Sequence, residues 1–260
     1  MKILHHLLLS TLFTSSFLWV TAKPLTVFFG TGGRGAEGIY QATFNPVNGK
    51  FTPAELAAKI GSPGFLALHP NGKILYSIGR WEDGSGALGY HIQKNGALEE
   101  FTRMICPDGG GCHISVHPSG KFLLTAQYGG GSVALFPLDG NGKLGEPTVI
   151  EHTGGSKVVD RRQDSPHPHW TGFSPDGNYA LIPDLGLDQI VIYKVDSSEP
   201  AISPHGVGQS VPGGGPRHMR FSTDGKFVYL LNELSLSVTT FAWDDQNGQA
   251  KRLSTTPAIS

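Results

Sequence analysis

One short turn occurs four times in this chain: His69-Pro70-Asn71-Gly72-Lys73, His117-Pro118-Ser119-Gly120-Lys121, Ser174-Pro175-Asp176-Gly177-Asn178 and Ser222-Thr223-Asp224-Gly225-Lys226. Its glycines lie 48, 57 and 48 residues apart. A repeat of that length, with strand-like residues on both sides of each turn, is the signature of a β-propeller. A repeat also supplies its own alignment. Positions where the copies agree belong to the scaffold, and positions where they differ are open to function.

The fullest unit reads as strand 217–221, turn, strand 227–231, a connection and strand 237–243, with a second turn near Asn247-Gly248. The same order recurs at 123–126 and 132–136, and again at 179–182 and 189–193. Asn-Gly and Asp-Gly pairs suit hairpin turns that need positive φ, so each unit is an antiparallel meander of about four strands, one blade. The 36 glycines and 18 prolines fit tight turns better than helices. The first blade starts part-way: 26–29 and 38–44 match second and third strands, with Asn48-Gly49-Lys50 as the outer turn. After Trp243 there is material for one more strand before Ser260. The expected fold class is therefore all-β, a propeller of four-stranded antiparallel blades over 25–260. About five blades are present, a count that suggests a truncated larger ring.

Ahead of it, Met1-Lys2, an apolar run from Leu7 to Val20 and Thr21-Ala22 resemble a signal peptide over 1–22, so the expected location is exported, periplasmic or extracellular. The run is interrupted by Ser and Thr and falls short of the roughly 20 apolar residues a span needs. No stable membrane association is expected after cleavage. A formal charge of −1 without a basic stripe excludes nucleic acid as the expected partner. Cys106 and Cys112 flank Pro-Asp-Gly-Gly-Gly, and either a small disulfide loop or two thiols fits that spacing. One such pair is no zinc site.

Eight residues before each turn glycine stand Gly64, Cys112, His169 and Arg217; eight after stand Arg80, Tyr128, Leu185 and Glu233. Antiparallel pairing puts both sets at the strand ends far from the turn, on one face near the central channel. Adjacent positions add His113, Trp170 and His218, and Gln127, Asp184 and Asn232. The richest grouping is His167-Pro168-His169-Trp170, Pro216-Arg217-His218 and Asn232-Glu233. A histidine with a carboxylate can exchange protons near neutral pH, and arginine offers a fixed fork for an anion. The plain alternative is that these residues only hydrogen-bond neighbouring strands. His169, Arg217 and Glu233 are the candidate catalytic residues; His113, His167, His218, Asn232, Arg80 and Tyr128 are candidate substrate contacts. The longer interval carries a polar insertion, 154–166, a candidate rim. His69 and His117 lie in turns and receive no role. No Gly-x-Ser-x-Gly elbow, phosphate loop, His-Glu-x-x-His or calcium loop occurs.

The segments Cys112–Lys121, Tyr128–Val133, Pro166–Trp170, Pro183–Asp188, Gly215–His218 and Leu231–Leu234 resemble the lactonase family of seven-bladed propellers. That family includes bacterial 6-phosphogluconolactonases and fungal carboxy-muconate lactonising enzymes. The resemblance implies hydrolysis of a small-molecule sugar lactone with no cofactor, and by motif it assigns the chemistry to His169, Arg217 and Glu233. Two alternatives stay open: a lactonising cycloisomerase acting on a muconate-like dicarboxylate, and a non-enzymatic propeller that binds a ligand or protein on the same face.

Overall fold

The repeat period becomes sheets. The computed structural model describes residues 23–33, 35–196 and 198–259; the expected signal segment lies outside the described residues. Among them there is no helix, and the strands form five four-stranded antiparallel sheets. The first contains β1 (Leu25–Gly30), β2 (Gly38–Asn45), β3 (Lys50–Phe51) and β4 (Glu55–Lys59), the last two sharing one edge of β2. That blade thus has three ranks, its outer one interrupted near Pro53, as the part-way start of the repeat implies. The second runs β5 (Leu66–Leu68), β6 (Ile74–Trp81), β7 (Gly84–Ile92) and β8 (Leu98–Ile105). The third runs β9 (His113–Val116), β10 (Phe122–Gln127), β11 (Ser132–Pro137) and β12 (Thr148–Glu151). The fourth is β13 (Gly172–Phe173), β14 (Tyr179–Asp184), β15 (Gln189–Asp196) and β16 (Ala201–Gln209). The fifth is β17 (Pro216–Phe221), β18 (Phe227–Asn232), β19 (Ser237–Asp244) and β20 (Gln249–Pro257).

Successive sheets pack face to face, and the second, third and fourth each lie between two neighbours, which explains why their middle strands are buried at almost every position. Side chains alternate across a strand, so successive residues of β10 serve different cores. Leu123 joins Ile74, Tyr76 and Ile78 of the second sheet, whereas Phe122 and Leu124 join Ala180 and Ile182 of the fourth. Trp170, Leu181 and Ile190 meet Met219, Leu230 and Phe241 between the fourth and fifth sheets. Ile39 and Ile60 meet Leu75 and Leu88 between the first and second.

The four turns share one hydrogen bond: the glycine N–H donates to the carbonyl of the residue three before, at 2.8–2.9 Å, with φ of 70–77°. A left-handed φ favours glycine, which is why the spacing is legible. The turn histidines, given no role from sequence, tie sheet to sheet. Nδ1 of His69 accepts the Asn71 N–H, leaving Nε2–H to donate to the Gly120 carbonyl at 3.1 Å. Nδ1 of His117 accepts the Ser119 N–H, and its Nε2–H donates to the Gly177 carbonyl at 2.9 Å. In the third copy Ser174 replaces histidine, and Pro175 packs near Gly225 instead.

His117 is buried and stacks on Phe122. His117→Ala strands the Gly177 carbonyl and is expected to cost about 1–3 kcal/mol in urea unfolding. The half-buried His69→Ala should cost less, and equal costs would contradict the burial argument.

Candidate functional site

Strand ends far from the turns converge as the spacing implies. Arg217 sits in a β-bulge: Pro216 pairs with Asn232 and His218 with Leu231, leaving Arg217 unpaired and re-aimed. Its Nε donates to Glu233 Oε2 at 2.9 Å. Glu233 follows β18 directly, and its N–H donates to the Gly215 carbonyl. A second guanidinium completes the group, since Arg162 Nη2 donates to Glu233 Oε1 at 2.6 Å and to Tyr128 Oη at 3.4 Å. His169 Nε2 lies 3.9 Å from Glu233 Oε2, close enough for an ion pair once protonated but too long for a hydrogen bond. Its Nδ1 faces Cys112 Sγ at 4.0 Å. Exposure is graded: Arg162 and Arg217 side chains are 42% and 39% accessible, Glu233 31% and His169 12%. The charged forks form the mouth and the imidazole the floor.

Two buried aspartates, one at the end of β14 and one in the turn after it, hold this arrangement. Asp184 Oδ1 accepts the N–H groups of His167, Gly186 and Leu187, and its Oδ2 pairs with His152 Nδ1 at 2.6 Å. Pro168 bridges to Asp184, so the His167–His169 segment is fixed as a short strand extension. Asp188 accepts Gln163 Nε2 at 2.7 Å, Gly213 N–H at 2.7 Å and Gly215 N–H at 2.9 Å. The first contact anchors the insertion bearing Arg162; the other two fix the approach to Arg217.

The electrostatics divide the cluster. Burial alone would raise the Glu233 pKa, but the hydrogen bonds from Arg162 and Arg217 outweigh it and hold the carboxylate below its usual range. Burial lowers His169, and Arg217 adds to this; its hydrogen bond to its own backbone and the charge of Glu233 oppose it. His218 is pushed down to about 4 by burial and Arg217, and His113 to about 2 by burial and His218. Neutral imidazoles therefore surround a charged carboxylate–guanidinium group. No cluster of three or more His, Cys, Asp or Glu able to hold a metal occurs among the described residues.

The sequence profile described as "Lactonase, 7-bladed beta-propeller" matches residues 26–260. The chain belongs to this family. The 6-phosphogluconolactonase of Bacillus subtilis is 34% identical over 227 residues, covering 86% of this chain and 64% of that relative. That of Formosa agariphila is 32% identical, covering 88% and 66%. The periplasmic gluconolactonase of Pseudomonas aeruginosa superposes with a TM-score of 0.78 at 30% identity, over 91% of this chain and 68% of that structure. This lactonase-family chain thus spans just under two thirds of the curated relatives it matches.

Of the residues selected from sequence, the fold brings His169, Arg217, Glu233 and Tyr128 together. His167 joins them by stacking on Tyr128 at 4.6 Å and donating Nδ1–H to the Tyr128 carbonyl. His218 lies behind, 5.4 Å from the His169 ring centre. His113 is deeper, 3% exposed, its Nδ1 accepting the Thr171 N–H. Asn232 must be corrected from substrate contact to scaffold: it is fully buried, with its amide engaged by Ser210, Ser237 and Thr239. Arg80 is exposed and shares no hydrogen bond or ion pair with the cluster among the described residues; its backbone bridges to Gly61. Cys106 and Cys112 are free thiols. Arg162 was missed individually, although its insertion was marked as a rim.

His113, His117, His169 and His218 are all held below the ordinary histidine value of 6.5. The unfolded chain therefore takes up their protons first on acidification. Their contribution to stability is expected to be complete above about pH 6.5 and to decline below it. Urea unfolding at a series of pH values checks this, and His113→Phe should flatten part of the decline.

Proposed function

We propose that this chain is a lactonase that opens a sugar lactone by water attack at the His169/Arg217/Glu233 cluster. The observation that carries the reading is a neutral, nearly buried imidazole facing a carboxylate that two guanidiniums keep ionised. Such a carboxylate is a weak base but a good partner for an imidazolium, so the base is His169. With its proton on Nδ1, Nε2 takes a proton from water as the water oxygen attacks the lactone carbonyl carbon. Arg217 donates to the oxyanion that forms. Collapse of the tetrahedral intermediate breaks the bond to the ring oxygen, and His169 returns the proton to that departing oxygen. The product is the open hydroxy acid, which ionises in solution. Glu233 stabilises the transient imidazolium and orients both groups. No step calls on a metal or cofactor.

The relatives named as 6-phosphogluconolactonases and the periplasmic gluconolactonase support this reaction class. An exported location is supported by the signal-like sequence of 1–22 and by the periplasmic neighbour.

His169→Asn is expected to lower kcat by about 10²–10⁴. The wild-type kcat/KM should lose activity on the acid side only below about pH 6.5, because the base is neutral down to its lowered pKa. Glu233→Gln removes the carboxylate charge that raises His169, so the residual activity should have its acid limb at still lower pH. Following lactone opening by acid release in a pH-stat tests both. Equal rates for wild type and the two variants would sink the assignment.

A further inference from the structure

Among the innermost strands β13 is the shortest, two residues against three, four and six in β5, β9 and β17. The stretch ahead of it carries His169, and Pro168 has no N–H to give. The backbone of 167–169 makes three bonds to β14 and its turn. His169 N–H donates to the Pro183 carbonyl at 3.0 Å, Leu185 N–H to the His167 carbonyl at 3.0 Å, and His167 N–H to Asp184 Oδ1 at 2.8 Å. The His169 ring has no comparable anchor on another residue. Its polar contacts with Glu233 Oε2 at 3.9 Å and Cys112 Sγ at 4.0 Å are too long to fix its direction. The aim of His169 is inherited from its backbone.

One residue of the third sheet secures the carboxylate that this backbone needs. His152 stands just beyond β12, the outermost strand of that sheet, and its Nδ1–H donates to Asp184 Oδ2 at 2.6 Å. Both side chains are buried, at 2% and 0% exposure. Asp184 Oδ1 takes the N–H groups of His167, Gly186 and Leu187, so His152 supplies Oδ2. The backbone N–H of His152 also donates to the Gly131 carbonyl at 3.0 Å, and the Gly131 N–H donates to the Gln127 carbonyl at 2.9 Å. That turn carries Tyr128. A Cβ at Gly131 would stand 3.2 Å from the Pro166 carbonyl, so the turn lies directly against the histidine segment. His152 thus fastens the Tyr128 turn through its main chain and the His169 segment through its side chain, from a position closed to substrate. A buried carboxylate oxygen stripped of its donor costs more than the bond lost and turns toward whatever donor remains. For Asp184 such a turn draws Oδ1 away from the His167 N–H.

We infer that His152 is a positioning residue for His169, acting through Asp184 to hold the base in line with the lactone carbonyl. The inference rests on the proposed lactonase reading and brings to the same site a residue from the outer edge of the neighbouring sheet. The mouth is held separately, since Arg162 and Arg217 are fixed through Asp188. Loss of His152 therefore slows the chemical step and leaves substrate binding nearly intact.

The test is steady-state opening of gluconolactone or its 6-phosphate by three variants. His152→Leu fills the space without a donor and should lower kcat about tenfold to a hundredfold, with KM changed less than about threefold. His152→Asn puts an amide N–H where Nδ1–H stood and should recover about half or more of that loss on a logarithmic scale. A kcat within about twofold of wild type in His152→Leu overturns the inference. So does a decline that merely follows the folded fraction and is not recovered in His152→Asn. If His152→Leu does not fold, His152→Gln decides, because it carries its N–H one methylene further out. Its kcat should fall about threefold or more at constant KM, and a wild-type kcat overturns the inference. Ring NMR of His169, identified by its loss in His169→Asn, needs no turnover. Burial holds this imidazole below 6.5, so its midpoint should rise about half a pH unit or more in the folded variant that lacks or misplaces the donor. If wild type opens neither lactone, the lactonase reading fails and this midpoint decides the positioning: a rise sustains it, and an unmoved midpoint overturns it.

Discussion

The carboxylate of Asp188 ties the loops of this face into one geometry. It is buried, has a φ of 57° and accepts donors from two separate stretches of chain. Through Gln163 it fixes the insertion, and through Gly213 and Gly215 it fixes the segment leading into the bulge at Arg217. A buried carboxylate must collect donors or become protonated, so this need fastens loops that the sheets alone would leave loose. Asp184 does the same for the His167–His169 segment. Asp184, at the end of β14, and Asp188, in the turn after it, thus hold the two shoulders of the site.

The scaffold was legible because a propeller writes its period into its turns. Glycine at 72, 120, 177 and 225 is required by the same left-handed backbone each time, so spacing alone locates the blades. Counting from those glycines also found His169, Arg217, Glu233 and Tyr128, since antiparallel registry carries a fixed offset to the opposite strand end. The method fails where copies cannot be aligned. Arg162 lies in an insertion with no counterpart in the other blades, and nothing in the chain distinguishes it from Arg161 except the local backbone hand. Asn232 failed for another reason: offset places a residue on a face but does not say whether its amide turns outward or is engaged by Ser210, Ser237 and Thr239. His69 and His117 were passed over because the acceptors they reach belong to the next blade's turn.

Burial and charge are divided in a way that suits chemistry at neutral pH. The histidines beneath the mouth are kept neutral by desolvation and nearby guanidiniums, whereas the acid among them is kept ionised by hydrogen bonds. Neither condition follows from residue identity. Each depends on depth within the strand ends, which the bulge at Arg217 and the fixed His167–His169 segment set.

The sulfur beneath His169 has its own consequence. Burial pushes the Cys112 thiol up to about 11, and its hydrogen is directed to the carbonyls of Pro168 and His169 at 3.6 Å. At pH 7 roughly one such group in ten thousand is thiolate, the form that peroxides, disulfides and alkylating agents attack. A cysteine beside a reactive imidazole would ordinarily be a liability to oxidative damage. Here burial keeps the sulfur in its protonated, poorly nucleophilic form.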